Sequence, residues 1–97
     1  MGICRLEILA APEMHDAREV NTILTASLHA LFGDFDGEHH ACQAVVKNST
    51  GCAPSTFHVE CPKESMAAVR AALSMVTPPP YLYGTVYRFD VTKVTLT

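Results

Sequence analysis

Residues 40–61, HACQAVVKNSTGCAPSTFHVEC, decide the fold. Residues 40–47 alternate, which predicts a strand with Cys42, Ala44 and Val46 on one face. Asn48-Ser49-Thr50-Gly51 is a cluster of turn residues. Residues 55–61 alternate again, with Phe57, Val59 and Cys61 on one face and Thr56, His58 and Glu60 on the other. Two short strands joined by a polar link read as a hairpin. The fold therefore depends on what flanks this hairpin.

On both sides the flanking pattern is a helix and then a strand. Upstream, Val20, Ile23, Leu24, Ser27, Leu28, Leu31 and Phe32 recur at helical spacing and predict a helix over 15–32. Glu13, Asp16 and Glu19 fall near its start, where the helix dipole favours acids. Gly33 is placed to end it with positive φ, and residues 34–37 (DFDG) read as a turn. Before that helix, residues 3–9 alternate as a strand, with Cys4, Leu6 and Ile8 inward. Downstream, Pro62 suits a first helical position, and Met66, Val69, Leu73 and Val76 form an apolar stripe. Pro78-Pro79-Pro80 forbids continuation. Residues 81–91 resume alternation, and the parity slips near Thr92-Lys93, where a bulge or strand end is expected. The order is β-α-β-β-α-β, the ferredoxin-like split-βαβ pattern. It predicts an α+β sandwich: a four-stranded antiparallel sheet with both helices on one face.

With 97 residues, the chain reads as one domain over 1–97. At 48% hydrophobic and 18% charged it reads as globular. Seven Lys+Arg against ten Asp+Glu, a net charge of −3, argue against tight free-standing nucleic-acid binding. Residues 3–11 are too short and too charged for a signal core or a membrane span, so the four cysteines read as reduced thiols. Asn48-Ser49-Thr50 matches a glycosylation sequon and reads as a plain turn.

Catalytic and metal motifs are sparse. His39, His40 and Cys42 lie together, but there is no CxxC pair of the kind zinc sites use, so no metal and no cofactor is expected. No cysteine occupies the first loop, as it does in metallochaperones of this fold, and no acylphosphatase-like phosphate loop occurs. The outward positions of the first and third strands lack the aromatics of RNA-recognition motifs. Ser27, Ser65 and Ser74 lie on helices without a nucleophile elbow. His15 and His29 read as surface residues of the first helix, and His58 as a solvated or cross-strand residue. What remains is surface. The open sheet face mixes Arg5, Glu7, Lys47, Glu60, Arg88 and Asp90 with Ile3, Leu9, Val45 and Val86. Residues 78–87 gather three prolines and all three tyrosines. Tyrosine favours interfaces because it offers area together with a hydrogen bond. Tyr81, Tyr83, Tyr87, Arg88 and Arg5 are therefore the candidate partner-binding residues.

LTASLHALFGDFD, running from Leu24 into the acid-rich turn, places Leu-Phe-Gly at the end of an amphipathic helix. Met66, Val69, Ala72, Leu73 and Val76 pattern the second helix, and Tyr87-Arg88-Phe89-Asp90-Val91 reads as a closing strand. Together, from about Asn21 to Leu96, these segments resemble the small αβ-sandwich subunits of archaeal and eukaryotic ribonuclease P and RNase MRP. The chain departs from that family in having no Trp and in carrying the triple proline. The resemblance implies a noncatalytic subunit in tRNA 5′ processing, where the RNA performs the cleavage. Its partners would be other protein subunits, among them one of TIM-barrel type, with RNA contact secondary and no membrane. Its location would be nuclear, in the nucleolus, in a eukaryote and cytoplasmic otherwise. Two readings from other classes stand beside it. One is a dimeric αβ-barrel enzyme or small-molecule binder using the open sheet face. The other is a stand-alone protein-interaction module.

Overall fold

Strand β1 (Ile3–Ala11) runs through the middle of the molecule, and its alternation is reproduced in burial: Cys4, Leu6, Ile8 and Ala10 are buried, while Ile3, Arg5 and Leu9 are exposed. The computed structural model describes residues 2–11, 16–48, 56–77, 84 and 86–96. Helix α1 (Ala17–Gln43) is capped by Asp16, whose Oδ1 accepts from the Arg18 N–H at 2.9 Å. Strands β2 (Val45–Asn48) and β3 (Thr56–Pro62) follow. A 3-10 turn over Lys63–Ser65 then leads into helix α2 (Met66–Ser74), and strand β4 (Arg88–Leu96) closes the order.

The sheet order is β2-β3-β1-β4 and every pairing is antiparallel. The ferredoxin-like α+β sandwich expected from the sequence is the fold observed. Val20, Ile23, Leu24 and Leu28 of α1 and Val69, Ala72 and Leu73 of α2 share one core with Leu6, Ile8, Phe57, Val59 and Phe89 of the sheet. Both helices therefore cover the same face and leave the other open.

The region after Gly33 departs from expectation. Gly33 has positive φ, as its place suggested, but with φ 82° and ψ 173° it adopts a conformation that is essentially glycine-only rather than a left-handed helix cap. The chain then resumes helix. Residues 34–37 are not a turn, the predicted strand over 40–47 is helical as far as Gln43, and β2 keeps only its last part. Cys42, expected inward, is exposed and lies 3.3 Å from Glu38 Oε1.

Side-chain size and charge explain the second helical stretch. Gly37 is buried, and a Cβ there would meet the Leu28 carbonyl and the His29 backbone at 2.7 Å. Only glycine allows the two stretches to lie so close. Asp34 and Asp36 stand at the start of the new stretch, where acids are favoured. His29 fastens the corner, with Nδ1 3.3 Å from Asp34 Oδ1 and Nε2 2.9 Å from Glu38 Oε2.

These two carboxylates, Asp34 foremost, raise the His29 pKa above its ordinary 6.5. A raised folded-state value means that the contribution is complete below about 6.5 and is lost as pH rises through the folded value. The unfolding midpoint is therefore expected to fall on the alkaline side of 6.5. Denaturation of wild type and His29→Gln across pH 6–8.5 checks this. The variant should lack that decline, and an identical decline in both would remove His29 as its source.

Pro62 ends β3 in extended conformation rather than opening a helix. The Lys63 N–H donates to the Gly2 carbonyl at 3.1 Å, so the neighbouring Ile3–Pro62 pair is a non-hydrogen-bonded one. On its other side β2 begins only opposite Glu60. The missing donor of Pro62 thus costs the ladder nothing. In β4 the expected bulge is present. Glu7 pairs with Lys93 and Ile8 with Val91, so Thr92 is the extra residue. The strand continues beyond it to Leu96. The turn residues 49–51, Cys52, His15 and the proline run lie outside the described residues.

Candidate protein-docking surface

Period-two alternation puts the odd-numbered side chains of β1 on the open face, opposite the even-numbered ones of β3. Pairing register then decides which charges meet. Arg5 is opposite Glu60, and Glu60 is opposite Val45, the strand neighbour of which, two residues on, is Lys47. Glu60 consequently bridges three strands. Its Oε2 accepts from Arg5 at 2.6 and 3.0 Å, and its Oε1 lies 2.9 Å from Lys47 Nζ. Lys47 first and Arg5 second hold the Glu60 carboxyl below the ordinary carboxylate value.

A second group spans the other direction. Glu7 Oε2 lies 3.3 Å from His58 Nε2, and Thr92, presented by the bulge, donates its hydroxyl to Glu7 Oε1 at 3.1 Å and to the Glu7 carbonyl at 3.2 Å. The His58 contact foremost, then Thr92, lowers the Glu7 pKa. Exposed ion pairs of this kind each contribute about 0–1 kcal/mol. Their larger effect is to fix side-chain positions across all four strands.

The predicted interface residues fall into separate places. Arg5 is at the centre of the open face, engaged with Glu60. Arg88 opens β4, with its Nε 3.1 Å from Asp90 Oδ1. Tyr87 is half-buried, packs against the core, and lines a groove of about 500 Å³ between α2 and β4 with Arg70, Leu73, Val76 and Val91. Tyr81 and Tyr83 lie outside the described residues. The structure thus does not join Arg5 to Tyr87 and Arg88 in one described cluster.

The sequence reading missed Glu60 and Glu7 as organisers of the face. Parity placed them outward, but only the register tells which cation each meets. It also missed Phe35. Read as part of a turn, Phe35 is instead helical and 91% exposed. The Phe32 ring stands edge-on to His40, with centroids 5.7 Å apart, and His40 Nδ1 lies 3.0 Å from the buried Ser65 hydroxyl. This ties the corner to the start of α2.

Among the described residues no group of three or more His, Cys, Asp and Glu is arranged to hold a metal, and no helix is long and apolar enough to cross a membrane. His39, His40 and Cys42 lie on helix, with the two imidazoles stacked edge-on at 5.3 Å. The described surface offers matched charge, aliphatic side chains at its margins and one bare aromatic ring, which is chemistry for docking. No protein-family model matches the chain, and a search of curated proteins finds no significant match.

Proposed function

We propose that this protein is a noncatalytic subunit of a ribonucleoprotein of the ribonuclease P and RNase MRP kind, acting in tRNA 5′ processing and held there mainly by protein contacts. The kind of particle rests on the sequence resemblance from Asn21 to Leu96. The mode of attachment rests on one observation, an open sheet face whose cations stand beside carboxylates. Arg5 and Lys47 are matched to Glu60, His58 to Glu7 and Arg88 to Asp90, and Lys93 lies opposite Glu7. Phosphate binding needs cations free to replace counterions. A face whose cations already have carboxylates beside them suits a mixed polar and apolar protein surface better. The proposed location is nuclear, in the nucleolus, in a eukaryotic source and cytoplasmic otherwise.

Affinity capture of the full chain from its native source tests this. The expected eluate contains the particle's RNA, removes 5′ leaders from precursor tRNA, and keeps its protein partners after ribonuclease digestion. An eluate without that RNA overturns the assignment. Partners that leave on digestion overturn the protein-held mode. A homodimer closed over the open face is a second reading, favoured by the exposed Ile3, Leu9 and Val45 there. A dimeric mass for the isolated chain, lost on Leu9→Glu substitution, would bring it forward.

A further inference from the structure

We infer that Cys4 and Cys61 form a reversible cross-strand disulfide under oxidation by a small disulfide, making one end of the β1–β3 strand pair a redox-responsive site. This is independent of the proposed particle. The two residues face each other directly in the β1–β3 pairing, and both are free thiols. Both point into the core, with Cys4 0% and Cys61 2% exposed. Their side chains lie on the same face of the sheet, in one core cluster. Only a local adjustment of the two strands is needed to bring them together.

The register also describes the bond that would form. Because the Lys63 N–H donates to Gly2, pairs alternate from there and Cys4–Cys61 is a hydrogen-bonded pair. Such pairs hold Cα atoms about 5.5 Å apart, within the usual disulfide range of about 4.4–6.8 Å. Their Cβ atoms, about 4.5–5.5 Å apart, must close to roughly 3.8 Å. A disulfide here therefore carries strain, and strained disulfides are the reducible ones.

Access comes by opening at one end of the β1–β3 strand pair. Residue 61 borders a groove of about 470 Å³ with the open-face residues Ile3, Val45 and Glu60, while its thiol points into the core. Gly2 and Lys63 make the outermost described bond of that ladder, so opening there is a local event. Burial foremost, with the Cys4 sulfur adding, pushes the Cys61 thiol up to about 11. Attack is consequently slow near neutrality and quickens as pH rises.

The chemistry balances with the small disulfide as oxidant. The Cys61 thiolate, having released its proton to water, attacks one sulfur of the small disulfide. A mixed disulfide forms and one small thiolate leaves. The Cys4 thiolate then attacks the Cys61 sulfur, forming the protein disulfide and expelling the second small thiolate. Two electrons pass from the protein sulfurs to the small disulfide, and the two protons released end on the small thiols.

The test uses the full chain carrying Cys42→Ser and Cys52→Ser, so that no other pair can form. It is equilibrated in glutathione buffers of increasing oxidised fraction, quenched in acid, denatured and alkylated. The expected product is two hydrogens lighter, takes no alkyl group, yields a Cys4–Cys61 cross-linked peptide, and returns to the dithiol with dithiothreitol. Its formation should quicken roughly tenfold per pH unit above neutrality, as thiolate does well below its pKa. Full alkylation of both cysteines in the most oxidising buffer, or a glutathione adduct that never resolves, overturns the inference. Cys4→Ala should trap the Cys61 adduct. If that variant fails to fold, the peptide map of the doubly substituted chain decides alone.

Discussion

Gly37→Val is expected to lower the stability of the domain by about 3 kcal/mol, the upper range for overpacking. In a chain of this size that lowers the melting midpoint by about 12 °C or more. The obstruction is backbone: the added Cβ would lie 2.7–2.8 Å from the Leu28 carbonyl and the His29 N and Cα. A side chain in the way could rotate aside, whereas a helix backbone can move only if the two stretches separate. Separation would draw Glu38 away from His29 and uncover Leu28 beneath. Gly37→Ala sharpens the test, because two effects oppose. Helix propensity alone favours Ala over Gly by about 1 kcal/mol. The same three contacts oppose it by about 1–3 kcal/mol. A net loss in the Ala variant is expected by thermal or urea denaturation. A more stable Ala variant would mean that the stretches are not packed so closely.

Phe57→Ala is expected to cost more, about 3–5 kcal/mol. Among the described residues Phe57 is the largest fully buried side chain, on β3 opposite Ile8, in the core the helices share with the sheet. Total stabilities of small domains are about 5–15 kcal/mol, so this one truncation consumes a large share. Phe35→Ala removes the same group from a position that is 91% exposed. It should leave stability within about 0.5 kcal/mol. Urea denaturation of the pair reads the contrast directly. Equal losses would mean that Phe35 is covered in solution. In the capture experiment Phe35→Ala is expected to lower partner recovery at unchanged stability, because a bare aromatic ring contributes to docking and not to folding.

The layout of the fold was legible because two periods suffice for it. Alternation fixed the inward faces of β1 and β3, and the 3.6-residue spacing fixed the buried stripes of both helices. The bulge was legible as a parity slip at Thr92. The stretch from Asp34 to Gln43 was not, and for a local reason. Gly, Asp, Asp and Gly within five residues are turn chemistry in isolation. What overrides them is tertiary: Gly37 against the Leu28–His29 backbone, and His29 reaching Asp34 and Glu38. None of these contacts leaves a periodic trace. The same holds for the open face. That Arg5, Glu7, His58 and Glu60 point outward could be read from parity. That Glu60 takes Arg5 and Lys47, leaving Glu7 for His58, depends on the pairing register, which parity alone does not give.

The Thr92 bulge has a consequence for the protein's behaviour at high concentration. Strand β4 is nine residues long and, among the described residues, no strand pairs with its outer side. A flat edge of that length is a template on which another copy can add, the first step of sheet-to-sheet aggregation. The extra residue bends and twists the strand midway, so neither half offers a long straight ladder. Lys93, next to the bend, puts a charge where an incoming strand would lie. The device that presents Thr92 to Glu7 also keeps the edge from recruiting its own kind.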